Sequence, residues 1–82
     1  MVFLGIDLHS NNFTCCFLHE NGTKQKMTFA ITPESLENFY RYLNKNTAII
    51  IEASTNTFKF AEKIVDKAHS IHVANTLQLS FQ

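Results

Sequence analysis

TAIIIE, residues Thr47–Glu52, is the stretch of this 82-residue sequence that decides the fold. The run is apolar and β-branched towards its end, shows no alternation of polar and apolar positions, and stops at an acid, Glu52. A short continuous apolar run is typical of a strand that is buried on both faces in a parallel sheet. We therefore expect an α/β fold in which this strand is covered on both faces.

Upstream of this run, the sequence predicts a three-stranded meander followed by a helix. Residues 1–7, 13–18 and 26–31 have the apolar content or the alternation of strands, and Asn21-Gly22 is a strong hairpin signal. Thr32 as N-cap and Pro33 at the first position begin the helix. Its apolar stripe recurs at helical spacing and consists of Leu36, Phe39, Tyr40 and Leu43.

Downstream, a second helix is expected over residues 57–69, a fifth strand over 71–74 and the start of another helix at 75–82. The inner face of the second helix is predicted to carry Phe58, Ala61, Ile64, Val65 and Ala68. The element order is then βββαβαβ. We expect a mixed sheet of order 3-2-1-4-5, and right-handed crossover connections make its strands one, four and five parallel. We expect residues 1–82 to be one partial domain that is truncated at its carboxyl end.

Composition excludes several classes of protein. Lys and Arg balance Asp and Glu at seven each, so the basic excess of a free-standing nucleic-acid binder is missing. The start lacks a basic region, and no apolar run approaches a membrane span, so we expect a cytoplasmic chain without a membrane partner. Cys15 and Cys16 are adjacent on a strand and point to opposite faces, which predicts reduced thiols.

Two acids end two core strands: Asp7 follows FLGI and Glu52 follows AIII. If strands one and four are parallel neighbours, both carboxylates lie at the same carboxyl-terminal edge, with their strands roughly 5 Å apart. Carboxylates this close repel each other unless a cation lies between them, and Mg²⁺ or Mn²⁺ prefers such oxygen ligands. The sequence therefore predicts a metal site at Asp7 and Glu52. His9 nearby is close enough in sequence to approach a phosphate or the metal, but the simpler interpretation is a loop residue without a role.

The chain resembles a known family over its whole length. The segments that carry the likeness are GIDLHSNNF (5–13), ENG (20–22), ITPESLENFYRYL (31–43), IEAS (51–54) and IHVAN (71–75). Together they resemble the amino-terminal domain of DEDD-type insertion-sequence transposases related to the Piv invertase, which has a RuvC-like, ribonuclease H-like fold.

The resemblance implies a DNA recombinase active in transposition, whose catalytic acids Asp7 and Glu52 hold Mg²⁺ (or Mn²⁺) at a DNA phosphodiester. It also implies DNA partners, namely transposon ends and target, and in some family members a structured guide RNA. The family's remaining acids and its nucleophilic serine belong to regions beyond residue 82. We therefore expect the 82-residue chain alone to be inactive.

Two other interpretations stay open. The sugar-kinase and actin-like ATPase superfamily shares the fold core and often begins with a strand ending in G-I-D, but Leu8-His9-Ser10-Asn11 lack the glycine of its phosphate-binding hairpin. The second open interpretation is a non-catalytic assembly module. Unpaired edges at strands three and five and uncovered apolar surface predict self-association.

Overall fold

The structure, a computed structural model, describes residues 1–52 and 57–74. Over these residues the elements follow the predicted order βββαβαβ. They are β1 (Val2–Leu8), β2 (Asn12–Leu18), β3 (Lys24–Ala30), α1 (Pro33–Tyr40), β4 (Thr47–Glu52), α2 (Thr57–Ile64) and β5 (Ser70–Ala74). The helix predicted at 75–82 lies outside the described residues.

The strands form one mixed sheet of order β3-β2-β1-β4-β5, as the sequence predicts. β1 pairs antiparallel with β2 and parallel with β4, and β5 continues the sheet parallel to β4. The described part of the chain is therefore an α/β fold with β1 at the centre of the sheet.

The β2–β3 hairpin is confirmed, although its turn differs from one in which both Asn21 and Gly22 have positive φ. Gly22 alone has a left-handed backbone, with φ at 88°, and its N–H donates to His19 O at 2.9 Å. This is the three-residue loop in which a turn is followed by a left-handed glycine. It sets the register that pairs Cys16 with Lys26 and Thr14 with Thr28.

The core lies on one face of the sheet and is centred on Phe13. Its ring is fully buried and lies 4.8 Å from the Phe39 ring of α1 and 4.9 Å from the Phe60 ring of α2, both at edge-to-face angles. Phe29 of β3 stacks on it at 5.6 Å. Because one aromatic side chain contacts both helices, α1 and α2 must lie on the same face of the sheet.

The prediction that β4 is covered on both faces is wrong. Ile49 and Ile51 are fully buried against the helices, whereas Ile50 between them is 51% exposed. Both described helices pack on the Phe13 side, so the alternate residues of β4 face outward, as do Phe3 and Leu18. Throughout, we call the outward side the open face.

Helix α1 begins as predicted and ends earlier. The Thr32 hydroxyl accepts a hydrogen bond from Ser35 N–H at 3.3 Å, and Pro33 is the first helical residue. After Tyr40 the chain tightens, since Leu43 N–H donates to the carbonyl three residues back at 3.1 Å. Leu43 nevertheless remains buried, so the predicted apolar stripe survives the shorter helix.

Helix α2 ends at Ile64 rather than at residue 69, and its predicted inner face is partly wrong. Phe58 and Val65 are 73% and 62% exposed, whereas Phe60 is buried. Thr57 explains the rotation, because it is fully buried and its hydroxyl donates to Glu52 O at 3.3 Å. With residue 57 turned inward, positions 60 and 64 follow it into the core at helical spacing.

In the two described stretches, neither helix has both the length and the apolar character that crossing a bilayer requires.

We predict that Phe13→Ala lowers the free energy of unfolding by about 3–5 kcal/mol, because it removes the ring that joins both helices to the sheet. Phe58→Ala is the matched control and should cost less than about 0.5 kcal/mol, since its ring is mostly exposed. Urea unfolding followed by circular dichroism measures both variants, and equal losses for the two would contradict this account of the core.

Candidate functional site

Asp7 and Glu52 are brought side by side by the parallel pairing of β1 and β4. The last paired residues of this ladder are Ile6 and Ile51, so the next position in register places Asp7 beside Glu52. Neighbouring strands lie about 4.8 Å apart, which sets the separation of the two backbones. The predicted juxtaposition of the two acids is therefore present in the structure.

Both acids point to the open face. Ile6 and Ile51, which precede them, are buried against the helices, and successive side chains of a strand point to opposite sides. The Asp7 side chain is 57% exposed, and Glu52 is exposed as well. The same alternation that buries the isoleucines thus presents two carboxylates to solvent.

A shallow cleft of about 680 Å³ surrounds the two acids. Its charged and polar lining consists of Asp7, His9, Thr14, Cys16, Lys26 and Glu52. Gly5 contributes floor without a side chain, and a Cβ added there would meet nothing within 4 Å. The cleft is open enough for an extended ligand to lie across several strands.

His9, interpreted from the sequence as a loop residue without a role, lies in contact with Asp7. Its Nε2 atom lies 3.3 Å from Asp7 Oδ2, and the side chain is 54% exposed. The turn after β1 holds it there, because His9 N–H donates to Asn12 O at 2.8 Å. When protonated, His9 competes with a cation for the same carboxylate oxygen.

The donor set fits a small oxygen-seeking cation. Mg²⁺ is usually bound through one or two protein carboxylates, and water and substrate phosphates complete its shell. Asp7 and Glu52 supply two such carboxylates beside an open cleft. Residues 1–52 and 57–74 contain no cluster of three or more His, Cys, Asp or Glu side chains arranged to hold a metal.

The electrostatics predict weak affinity. Two exposed carboxylates on strands about 5 Å apart repel by only about 1 kcal/mol in a water-like dielectric. A bound cation therefore gains little by relieving that repulsion, and we expect a dissociation constant on the order of a millimolar. Phosphate oxygens from a ligand would have to strengthen the site.

Three lining residues were missed by the sequence reading: Thr14, Cys16 and Lys26. The signal that could have found them is the hairpin register, because a turn at Gly22 pairs Cys16 with Lys26. Pairing of β1 with β2 then places Gly5 beside Cys16 and Asp7 beside Thr14. All these side chains share the open face with the acids.

In comparisons with known proteins, the chain matches no protein-family model, and no curated protein matches it significantly. The geometry of the site and the sequence resemblance are therefore the observations that bear on function.

The two thiols should differ sharply in reactivity, which tests the assignment of the two faces. Burial raises the pKa of the Cys15 thiol from 9.0 to about 12, whereas Cys16 is exposed in the cleft. Because the thiolate is the nucleophile, one equivalent of iodoacetamide should label Cys16 in the folded chain at mildly alkaline pH, as peptide mass spectrometry would show.

The raised pKa of Cys15 also makes the free energy of unfolding depend on pH. A thiol whose pKa is higher when folded stabilises the fold fully below pH 9.0, and this contribution is lost as pH rises towards 12. The free energy of unfolding should fall over that pH range, and Cys15→Ala should flatten this pH dependence.

In the labelling experiment, equal labelling of both cysteines in the folded protein would refute the assignment of faces.

Proposed function

We propose that this chain is the amino-terminal catalytic part of a metal-dependent DNA transposase or site-specific recombinase of the DEDD type, with a ribonuclease H-like fold. The observation that carries the proposal is the pair of carboxylates, Asp7 and Glu52, at adjacent positions on neighbouring parallel strands. The strand order β3-β2-β1-β4-β5 supports the fold assignment. The sequence resemblance supplies the substrate class, a DNA phosphodiester.

In this proposal, Asp7 and Glu52 hold Mg²⁺ or Mn²⁺ on the open face. The ion would neutralise charge at the phosphate and activate or position the nucleophile there. Asp7 and Glu52 fix its position because their backbones are held in the sheet, one by β1 and the other by β4. His9 lies beside the ion position, with its Nε2 atom 3.3 Å from Asp7 Oδ2.

The 82-residue chain by itself should not cleave DNA. The described residues offer two carboxylates at one point, and no group of three or more His, Cys, Asp or Glu side chains among them is arranged to hold a metal. In-line displacement with two ions needs further ligands. Incubation of supercoiled plasmid with the chain and Mn²⁺ should leave the plasmid intact, and nicking that disappears in Asp7→Ala would overturn this expectation.

Paramagnetic broadening by Mn²⁺ tests the metal site directly. At substoichiometric Mn²⁺, the amide signals of Asp7, Leu8, Ile51 and Glu52 should lose intensity before those of the helices. Asp7→Asn and Glu52→Gln should each weaken the effect several-fold, because either change removes a charged oxygen ligand.

Glu62→Gln is the matched control for these variants, since Glu62 is an exposed acid on α2, away from the cleft. It should leave the broadening pattern unchanged. Broadening that centres on α2, or that survives both Asp7→Asn and Glu52→Gln, would exclude the proposed site.

Self-association is the second candidate function, and one surface favours it. An apolar groove of about 280 Å³ lies between α2 and β5, the edge strand, and its apolar lining is Phe58, Ala61, Val65, Ile71 and Val73. Among the described residues no further strand pairs with the outer edge of β5, and such an edge beside exposed apolar side chains favours pairing with a second copy.

Sedimentation velocity at increasing protein concentration tests this assembly. The wild-type chain should shift towards a dimer, and Phe58→Ser should remain monomeric because it removes the most exposed apolar ring of the groove. A wild-type chain that stays monomeric at every concentration would count against the assembly function.

A further inference from the structure

The cleft has opposite charges at its two ends. Lys26 on β3 faces Cys16 on β2, which in turn faces Gly5 on β1. Lys26 therefore lies two strands away from β1, about 10 Å by strand spacing, yet it lines the same cleft as the acids. An ammonium group thus stands across the open face from the two carboxylates.

No large side chain rises from the cleft at Gly5, between the acids and Lys26. Gly5 has no side chain, and the space above it is open to at least 4 Å around a Cβ position. Thr14, which faces Asp7 across the β1–β2 ladder, places a hydroxyl donor along the same path. A ligand that reaches from the acids to Lys26 meets no large side chain at Gly5.

These features suit a polyanion with repeated charges. With a cation at Asp7 and Glu52, between β1 and β4, the cleft would hold two positive positions about 14 Å apart, since Lys26 lies about two and a half strand spacings across the sheet and two residues along it. One strand of nucleic acid carries a phosphate every ~3.4 Å of axis, so this distance corresponds to about four phosphates. A single small anion would reach one of the two positions only.

The ammonium group of Lys26 forms no ion pair with the described residues. No carboxylate of the described residues lies within ion-pair distance of it; their ion pairs are Met1–Glu20 and His9–Asp7. Lys24 provides an internal comparison, because it is exposed on the same strand and the same face but lies opposite Leu18, outside the cleft.

We propose that Lys26 is a phosphate-binding residue that directs a single nucleic-acid strand across the open face, from the cation site at Asp7 and Glu52 towards β3. This inference rests on the proposed function, because it takes the phosphodiester at the acids as its starting point. It assigns a direction to the bound strand, crossing β1 and β2 at Gly5 and Thr14.

Fluorescence anisotropy with a short labelled oligothymidylate in Mg²⁺ tests the proposal, comparing wild type, Lys26→Gln and Lys24→Gln at several salt concentrations. Lys26→Gln should weaken binding about three- to tenfold and reduce the slope of log affinity against log salt by about 0.7, the value for one single-strand phosphate contact. Lys24→Gln removes the same charge and should change affinity less than twofold.

Equal effects of Lys26→Gln and Lys24→Gln would overturn the proposal, as would absence of oligonucleotide binding by wild type. A third variant, Lys59→Gln with Lys63→Gln, tests a rival path, because these lysines line a separate pocket with Leu8 and Ser10. A larger loss there than in Lys26→Gln would place the strand elsewhere.

Failure of this proposal and failure of the proposed function give different results. If Mn²⁺ broadens Asp7 and Glu52 while Lys26→Gln and Lys24→Gln behave alike, only the direction of the strand is wrong. If Mn²⁺ does not broaden the signals of Asp7 and Glu52, the proposed function itself is wrong.

Discussion

The contact of Phe13 with both helices is the constraint on which the rest of the structure depends. Its ring meets Phe39 of α1 and Phe60 of α2 at under 5 Å, so both helices are held on one side of the sheet. Edge-to-face aromatic pairs of this kind add about 0.5–1.5 kcal/mol each beyond the burial of their area. In a chain of 82 residues, that is a substantial share of a small net stability.

The one-sided core determines where the chemistry can be. Because Ile6 and Ile51 turn into the core, the acids that follow them must turn away from it, onto the open face. The parallel pairing of β1 with β4 then sets the two carboxylates side by side, and the β2–β3 hairpin brings Lys26 to the other end of the same cleft. Packing on one face therefore positions charged groups on the other.

Much of the fold followed from local signals with clear physical causes. The Thr32 cap, the glycine turn at Gly22 and the apolar run at Thr47–Glu52 each indicate one local conformation, and right-handed crossovers make β1, β4 and β5 parallel. The errors arose where tertiary packing decides. Ile50 is apolar but faces outward, and nothing in a continuous run of isoleucines says which side the helices take.

The candidate site could be predicted from the sequence about as far as the fold could. Asp7 and Glu52 could be paired because each follows an apolar run in the sequence, whereas Lys26 is nineteen or more residues from either acid and joins them only through two ladders of the sheet. The rotation of α2 could not be read from its apolar residues, because Phe58 and Phe60 compete for the inner face. Buried Thr57 and its bond to Glu52 O decide that competition.

The central claim is that a divalent cation is held between Asp7 and Glu52 on the open face. Anomalous scattering from a crystal of the chain soaked in Mn²⁺ measures this most directly. The account predicts a peak that contacts one carboxylate oxygen from each acid and disappears in Asp7→Asn. A manganese peak at other acids, with none between these two, would contradict it.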